Sequence, residues 1–285
     1  MPKATAQVLT LDSAAAQSRL TATFERITPD LAREYLGKNT GNRNLKPLKI
    51  GGYVRDILAD RFLPTGESIK FDWNGRLIDG QNRLTAVIES GKPVTILVVR
   101  GLDPEVQKIL DTGSKRSAGD ALKMSGHHTN PHILAAAIRL IAAWKDGNLT
   151  NSASRAPDLT HAEVLEWHNT LGTSVDSAVA LASRWYKAID ATPSPLATAI
   201  YLTSEVDAED SFKFFSGMAE MDLGGREDPR TILLTRLRTL HGEKSIPAQQ
   251  IYFILRAWNA WRSDQVLRGM KDSSAGVAAK IPEPK

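Results

Sequence analysis

Ser68-Ile69-Lys70-Phe71-Asp72-Trp73-Asn74-Gly75-Arg76-Leu77-Ile78-Asp79-Gly80-Gln81-Asn82-Arg83-Leu84-Thr85-Ala86-Val87 decides how the first part of this chain folds. Ser68 to Phe71 and Arg76 to Ile78 read as paired strands, with Asn74-Gly75 as the hairpin signal between them. After Asp79-Gly80 the pattern changes to that of a helix running from Gln81 to Glu89 and stopped by Gly91. A strand that ends in a glycine turn leaves N–H groups unpaired at the next helix start, where the helix dipole is positive. A phosphate suits such a place, and Arg83 offers it a fork-shaped partner. The plainer alternative is a capped junction, with Asp79 as N-cap and Arg83 in a surface ion pair.

Working outward, Leu20 to Ile27 alternates and is rich in β-favouring types, which predicts a strand. Thr28-Pro29-Asp30 opens a short helix that Asn39-Thr40-Gly41-Asn42 breaks. A longer helix is predicted from Leu45 to Arg61, interrupted or bent at Gly51-Gly52. That glycine pair admits either a ligand close to the backbone or close packing on the sheet. Val94 to Val99 is an unbroken apolar run, which predicts a buried strand, and Asp103-Pro104 starts a helix ending at Leu110. From Asn130-Pro131, a cap followed by a first-turn proline, every periodic segment is helical: 131–146, 160–170, 174–190, 195–206, 208–221, 228–241 and 246–262. The expected class is α+β, a small mixed sheet with helices in residues 19–128 followed by an all-helical domain in 129–270. Residues 1–18 are expected to form a mobile leader and 271–285 a frayed tail.

Apolar content of 42% and charged content of 24% are those of an ordinary globular chain. No apolar run reaches the roughly 20 residues of a membrane span, and the N-terminus lacks the apolar core of a secretory signal. Zero cysteines exclude disulfides, a thiolate nucleophile and thiolate metal sites, and a cytoplasmic setting fits best. The net charge of +4 is segmented. Residues 1–128 hold 19 Lys+Arg against 14 Asp+Glu, 146–229 hold 5 against 14, and 230–285 hold 10 against 4. The basic segments suggest a polyanionic partner, although solvated helix faces of mixed sign give the same counts.

The hairpin-and-turn stretch resembles the ParB/sulfiredoxin superfamily, and more narrowly the ParB-like proteins of phages and prophages, whose hallmark is a D-G-Q-H/N-R turn. Asp111-Thr112-Gly113-Ser114-Lys115-Arg116-Ser117-Ala118-Gly119-Asp120 and Ala257-Trp258-Asn259-Ala260-Trp261 also resemble that group. The likeness covers residues 20–126 well and the helical remainder loosely. It implies a ParB/sulfiredoxin-like N-terminal domain and a phage-infected bacterial host. In this superfamily the turn corresponds to the G-E-R-R box of ParB and the glycine-rich, cysteine-containing box of sulfiredoxin, which grip nucleotide phosphates. By position, Asp79, Gly80, Gln81, Asn82 and Arg83 become the implied phosphate, nucleotide or DNA-backbone site. This chain departs from the pattern in three ways. It has no sulfiredoxin cysteine, it has one arginine where ParB has two, and it lacks ParB's E-N-x-Q-R motif.

Lys115 and Arg116, on a Thr-Gly-Ser turn, are candidates for a second phosphate contact. Asp111 together with Asp79 is a candidate catalytic pair holding Mg²⁺ for phosphodiester or phosphoanhydride chemistry. The plainer alternative has Ser117 capping a helix and Arg116 paired with Asp120. His128 and His132 have the i,i+4 spacing of a metal pair, but a helix start falls between them. Trp258 and Trp261 suit either base stacking or, more in keeping with tryptophans at i,i+3, core packing. Arg238, Arg256 and Arg262 are candidates for a basic stripe along a nucleic-acid backbone. The leading expectation is therefore a DNA-interacting protein whose contacts are mostly independent of sequence. The alternatives are an Mg²⁺-dependent nuclease or a nucleoside-triphosphate-dependent phosphotransferase, and an adaptor that binds a host protein through the acidic helices.

Overall fold

The computed structural model describes residues 20–42, 44–108, 110, 117–126, 129–151, 158–242, 246–270 and 279–285. The protein is mixed α+β and divides into two compact units, Met1–Ser114 and Lys115–Lys285. The sequence placed the boundary at 128/129. It falls earlier because Ala118 and Leu122 bury their side chains in the core of the helical unit.

The first unit runs β1 (Thr21–Ile27), α1 (Pro29–Gly37), α2 (Pro47–Leu58), β2 (Ser68–Asp72), β3 (Leu77–Asp79), α3 (Gln81–Ser90) and β4 (Val94–Leu102), then a 3₁₀ turn at Pro104–Lys108. The strand order is β1-β4-β2-β3. β1 is antiparallel to β4, β2 is parallel to β4, and β3 is antiparallel to β2. Thr28 caps α1, its hydroxyl accepting from the Leu31 N–H at 3.2 Å, and Pro29 takes the first-turn position that needs no donor. Gly75 closes the β2–β3 hairpin with φ +79°, and Gly91 ends α3 with φ +67°.

Ile27, Ile69, Phe71, Ile96 and Val98 from the strands form a core with Ala32 and Tyr35 of α1, Ile50 and Ile57 of α2, and Leu84 and Val87 of α3. Three expectations need correction here. Only Ile96 and Val98 of β4 are fully buried, because the helices cover one sheet face and alternate residues point to the other. α2 is one helix through Gly51-Gly52, with Gly52 itself buried. A Cβ at Gly51 would meet only the end of the Arg55 side chain, so no close approach requires glycine there. The segment after Asp103 is a 3₁₀ turn, not an α-helix.

The second unit is all-helical: α4 (Ala118–Met124), α5 (Pro131–Lys145), α6 (His161–Leu171), α7 (Thr173–Ile189), α8 (Pro193–Ser204), α9 (Ala208–Glu220), α10 (Pro229–Gly242) and α11 (Pro247–Arg262). α8 is buried continuously from Pro195 to Thr203, which marks it as the central helix. Gln250 of α11 secures its start, accepting from the Thr192 N–H at 2.8 Å and donating to the Thr192 hydroxyl at 2.9 Å. Trp258 is fully buried and packs edge-to-face on Phe214. Trp261 joins the same cluster, so the i,i+3 pair serves the core. Asn130 is the N-cap residue of α5 but makes no side-chain cap bond. It adopts φ +48° and donates its amide to the Ser183 hydroxyl at 2.8 Å.

The expected frayed tail splits in two. Residues 271–278 lie outside the described residues, as does the leader, whereas 279–285 dock on the helical unit. Ile281 is buried, Thr150 bridges Lys280, and the Trp258 indole donates to the Lys285 carbonyl at 3.2 Å. Among the described residues no helix is long and apolar enough to cross a membrane.

Candidate functional site

The start of α3 is built by β3, the α1–α2 loop and the 3₁₀ turn. Gly80, not Asp79, occupies the N-cap position, with φ +108° and no side-chain cap bond. A Cβ there would meet Ile69 at 3.1 Å, backbone included, so both conformation and close approach require glycine. Asp79 instead turns back on its own junction. Its Oδ1 accepts from the Gly80 N–H at 2.7 Å, and its Oδ2 accepts from Lys70 Nζ at 2.7 Å and Arg83 Nη2 at 3.4 Å.

Arg83 lies under the turn, its side chain only 8% exposed. Its guanidinium donates to Glu67 Oε2 at 2.9 Å, to the Ser68 carbonyl at 2.8 Å and to Asp79. The expected phosphate fork is therefore filled by carboxylates from this chain, and Arg83 ties β2, β3 and α3 together. Asp79 fits a divalent ion no better, because Lys70 already holds one of its oxygens at contact distance. Among the described residues no cluster of three or more metal-binding side chains occurs.

What remains at the helix start is a set of amides. Asn39 Nδ2 donates to Gln81 Oε1 at 3.0 Å, and the Lys46 backbone N–H donates to Asn82 Oδ1 at 3.0 Å. Asn42 donates to Asn39 Oδ1 at 2.9 Å and to the Leu77 carbonyl at 2.8 Å, and Gln107 Nε2 donates to Asn42 Oδ1 at 2.8 Å. Gln81 and Asn82 are buried and accept through their oxygens. The Lys46 side chain is exposed beside them. The sequence showed Asn39 and Asn42 only as helix breakers. Their partners stand 42 and 65 residues away, so no local spacing announces the network.

Other candidates fare differently. Asp111, Lys115 and Arg116 lie outside the described residues, as do His127 and His128. Ser117 caps α4 in a capping box with Asp120. His132 lies 3.5 Å from the Ser117 hydroxyl. Each arginine of the expected stripe has a partner within this chain. Arg262 pairs with Asp207 and Asp210 at 3.6 and 3.5 Å and lies over the Trp258 ring. Arg256 lies over the Tyr252 ring, and Arg238, although exposed, pairs with Asp190 at 3.2 Å.

A second constellation, invisible in the sequence, joins β1, α1 and β4. Arg100 donates to both Glu25 oxygens and to the Tyr35 hydroxyl, the last at 2.6 Å. The Arg100 hydrogen bond holds the Glu25 carboxyl down at about 2, while burial pushes the Tyr35 phenol up to about 12. No protein-family model, curated protein or solved structure matches this chain.

Proposed function

We propose that the first unit is a ParB/sulfiredoxin-like domain of the phage type, and that it interacts with DNA by lodging phosphate oxygens at the start of α3. The observation that supports this is the glycine start of α3, where Gly80 brings no capping side chain, Asp79 holds only the Gly80 N–H of the backbone donors, and the buried amides of Gln81 and Asn82 wall the turn. Backbone N–H groups and amide side chains contact phosphate without reading bases, so the binding is independent of sequence. Arg83 acts one layer behind, fixing the turn on which those donors sit. Because neutral amides displace few counterions, the dependence on salt is shallower than the basic segments alone suggest. A nucleoside triphosphate presents the same oxygens and is the competing ligand.

The test is Asn82→Asp in the full chain. Aspartate keeps an acceptor for the Lys46 N–H and suits a helix first turn, but it replaces an NH₂ donor with a negative charge. The variant is expected to melt within a few degrees of wild type and to bind duplex DNA at least about tenfold more weakly at low salt. Undiminished binding by a folded Asn82→Asp protein overturns the proposal. A loss of nucleotide-induced stabilisation without any DNA binding assigns the same turn to a free nucleotide.

A further inference from the structure

A cleft of about 490 Å³ opens in the first unit beside the tip of the β2–β3 hairpin. Its lining includes Tyr35, Lys38, Phe71, Trp73 and Arg100. The volume lies within the range of roughly 300–1,000 Å³ typical of small-ligand sites.

Trp73 is the unusual member. A large apolar ring normally leaves water, yet this one is 48% exposed at a hairpin tip. Its position is held by a backbone bond, its N–H donating to the Leu102 carbonyl at 2.9 Å. Among the described residues no other ring packs against it.

Arg100 supplies a cation whose geometry is set before any ligand arrives. Glu25 and the Tyr35 hydroxyl grip one side of the guanidinium, which lies over the Tyr35 and Phe71 rings at 5.5 and 5.4 Å. That grip leaves its Nε–H without a protein partner among the described residues. Lys38 adds a second cation, 5.4 Å from the Tyr35 ring centre. Its ion pair with Glu34 is solvent-exposed on both sides, so it is weak enough to be given up for a ligand.

The carboxylates near the cleft are formally as numerous as the cations, and burial decides between them. Asp72 is fully enclosed and accepts from the Asn74 N–H, the Arg76 N–H and the Arg76 guanidinium. Glu25 is behind Arg100 and consumed by it. Of the carboxylates, only Glu34 is well exposed, and its weak surface pair with Lys38 can open, so the cleft offers a ligand Lys38 and Arg100 with an aromatic face beside them.

We infer that this cleft binds a nucleotide unit, its base stacked on Trp73 and its phosphate held by Lys38 and Arg100. This goes beyond the phosphate site at α3, since it uses different residues and reads single-stranded or free nucleotide, not duplex backbone. Stacking of one base on an aromatic side chain changes affinity by about tenfold or more.

The test uses the full chain, a labelled single-stranded oligothymidylate followed by anisotropy, and thymidine monophosphate followed by calorimetry. Trp73→Ala and Lys38→Ala change exposed side chains, so both variants are expected to fold. Trp73→Ala is expected to weaken oligothymidylate binding at least about tenfold, and Lys38→Ala about threefold with a shallower salt dependence. A parallel loss for the monophosphate assigns the cleft to free nucleotides, and a loss for the oligomer alone assigns it to a strand. The inference is overturned if neither probe binds, or if Trp73→Ala binds as wild type does. Repeating the series in Asn82→Asp separates the sites, because the Trp73 effect persists there whatever becomes of duplex binding.

Discussion

At the scale of single residues, Arg83 shows how a motif side chain can take a structural post. With its guanidinium on Glu67, the Ser68 carbonyl and Asp79, its removal takes a donor from a buried carbonyl and leaves Asp79 with Lys70 as its one cation. Arg83→Ala should cost roughly 2–3 kcal/mol of unfolding free energy in urea, and Arg83→Lys should recover only part of it, since a point charge cannot reach all three acceptors. A side chain that served ligand alone would leave the midpoint unchanged. Glu25 gives a pH-dependent counterpart. Its carboxyl is held at about 2, below its ordinary value of 4.5, by the Arg100 hydrogen bond. The stability it contributes is complete above about pH 4.5 and is lost as pH falls towards 2. Glu25→Gln should be less stable than wild type at neutral pH and should lose less on acidification through that window. Equal acid limbs in the two proteins would remove the assignment. The turn itself was legible in the sequence because Gly80, Asn74-Gly75 and the change of period are local signals. The partners of Arg83 were not, because Glu67 and Ser68 sit 16 and 15 residues away, at the entry to β2.

At the scale of elements, most helices and strands were readable because each carries its own punctuation. Pro29, Pro131, Pro193, Pro229 and Pro247 all occupy first-turn positions, and Thr160 and Ser117 begin capping boxes. Burial was harder to read, as β4 shows. Its unbroken apolar run suggested cover on both faces, but the helices of this unit cover only one. The C-terminal segment shows the same limit. Ser, Gly and Pro suggested fraying, yet Ile281 is buried and Asn259 clasps the final turn of chain, donating to the Glu283 carbonyl at 2.8 Å and accepting from the Lys285 N–H at 2.9 Å. A tertiary groove, not local propensity, orders this segment. Ile281→Ala should therefore destabilise the helical unit by about 2–4 kcal/mol, as expected for emptying a buried isoleucine site. Thermal unfolding checks this, and a melting curve indistinguishable from wild type would return residues 279–285 to the status of a loose end.

At the scale of the whole molecule, the segmented charge of the sequence meets itself in part within the helical unit. The acidic 146–229 segment supplies Asp190, Asp207 and Asp210, and the basic 230–285 segment supplies Arg238 and Arg262 to pair with them. Complementary charge along a chain is thus no guide to a polyanion partner until the pairing is known. Arg238→Ala and Arg256→Ala are accordingly expected to change DNA affinity by less than about twofold, measured by anisotropy at low salt, whereas a tenfold loss would restore the basic stripe. Net charge still leaves the first unit cationic, with 16 Lys+Arg against 13 Asp+Glu in residues 1–114. The proposed phosphate site is tested most directly by amide chemical-shift mapping of the full, isotope-labelled chain titrated with duplex DNA. The largest shifts are predicted at the backbone and side-chain amides of Gln81 and Asn82. Shifts confined to α10 and α11, with those amides unmoved at saturation, would contradict it.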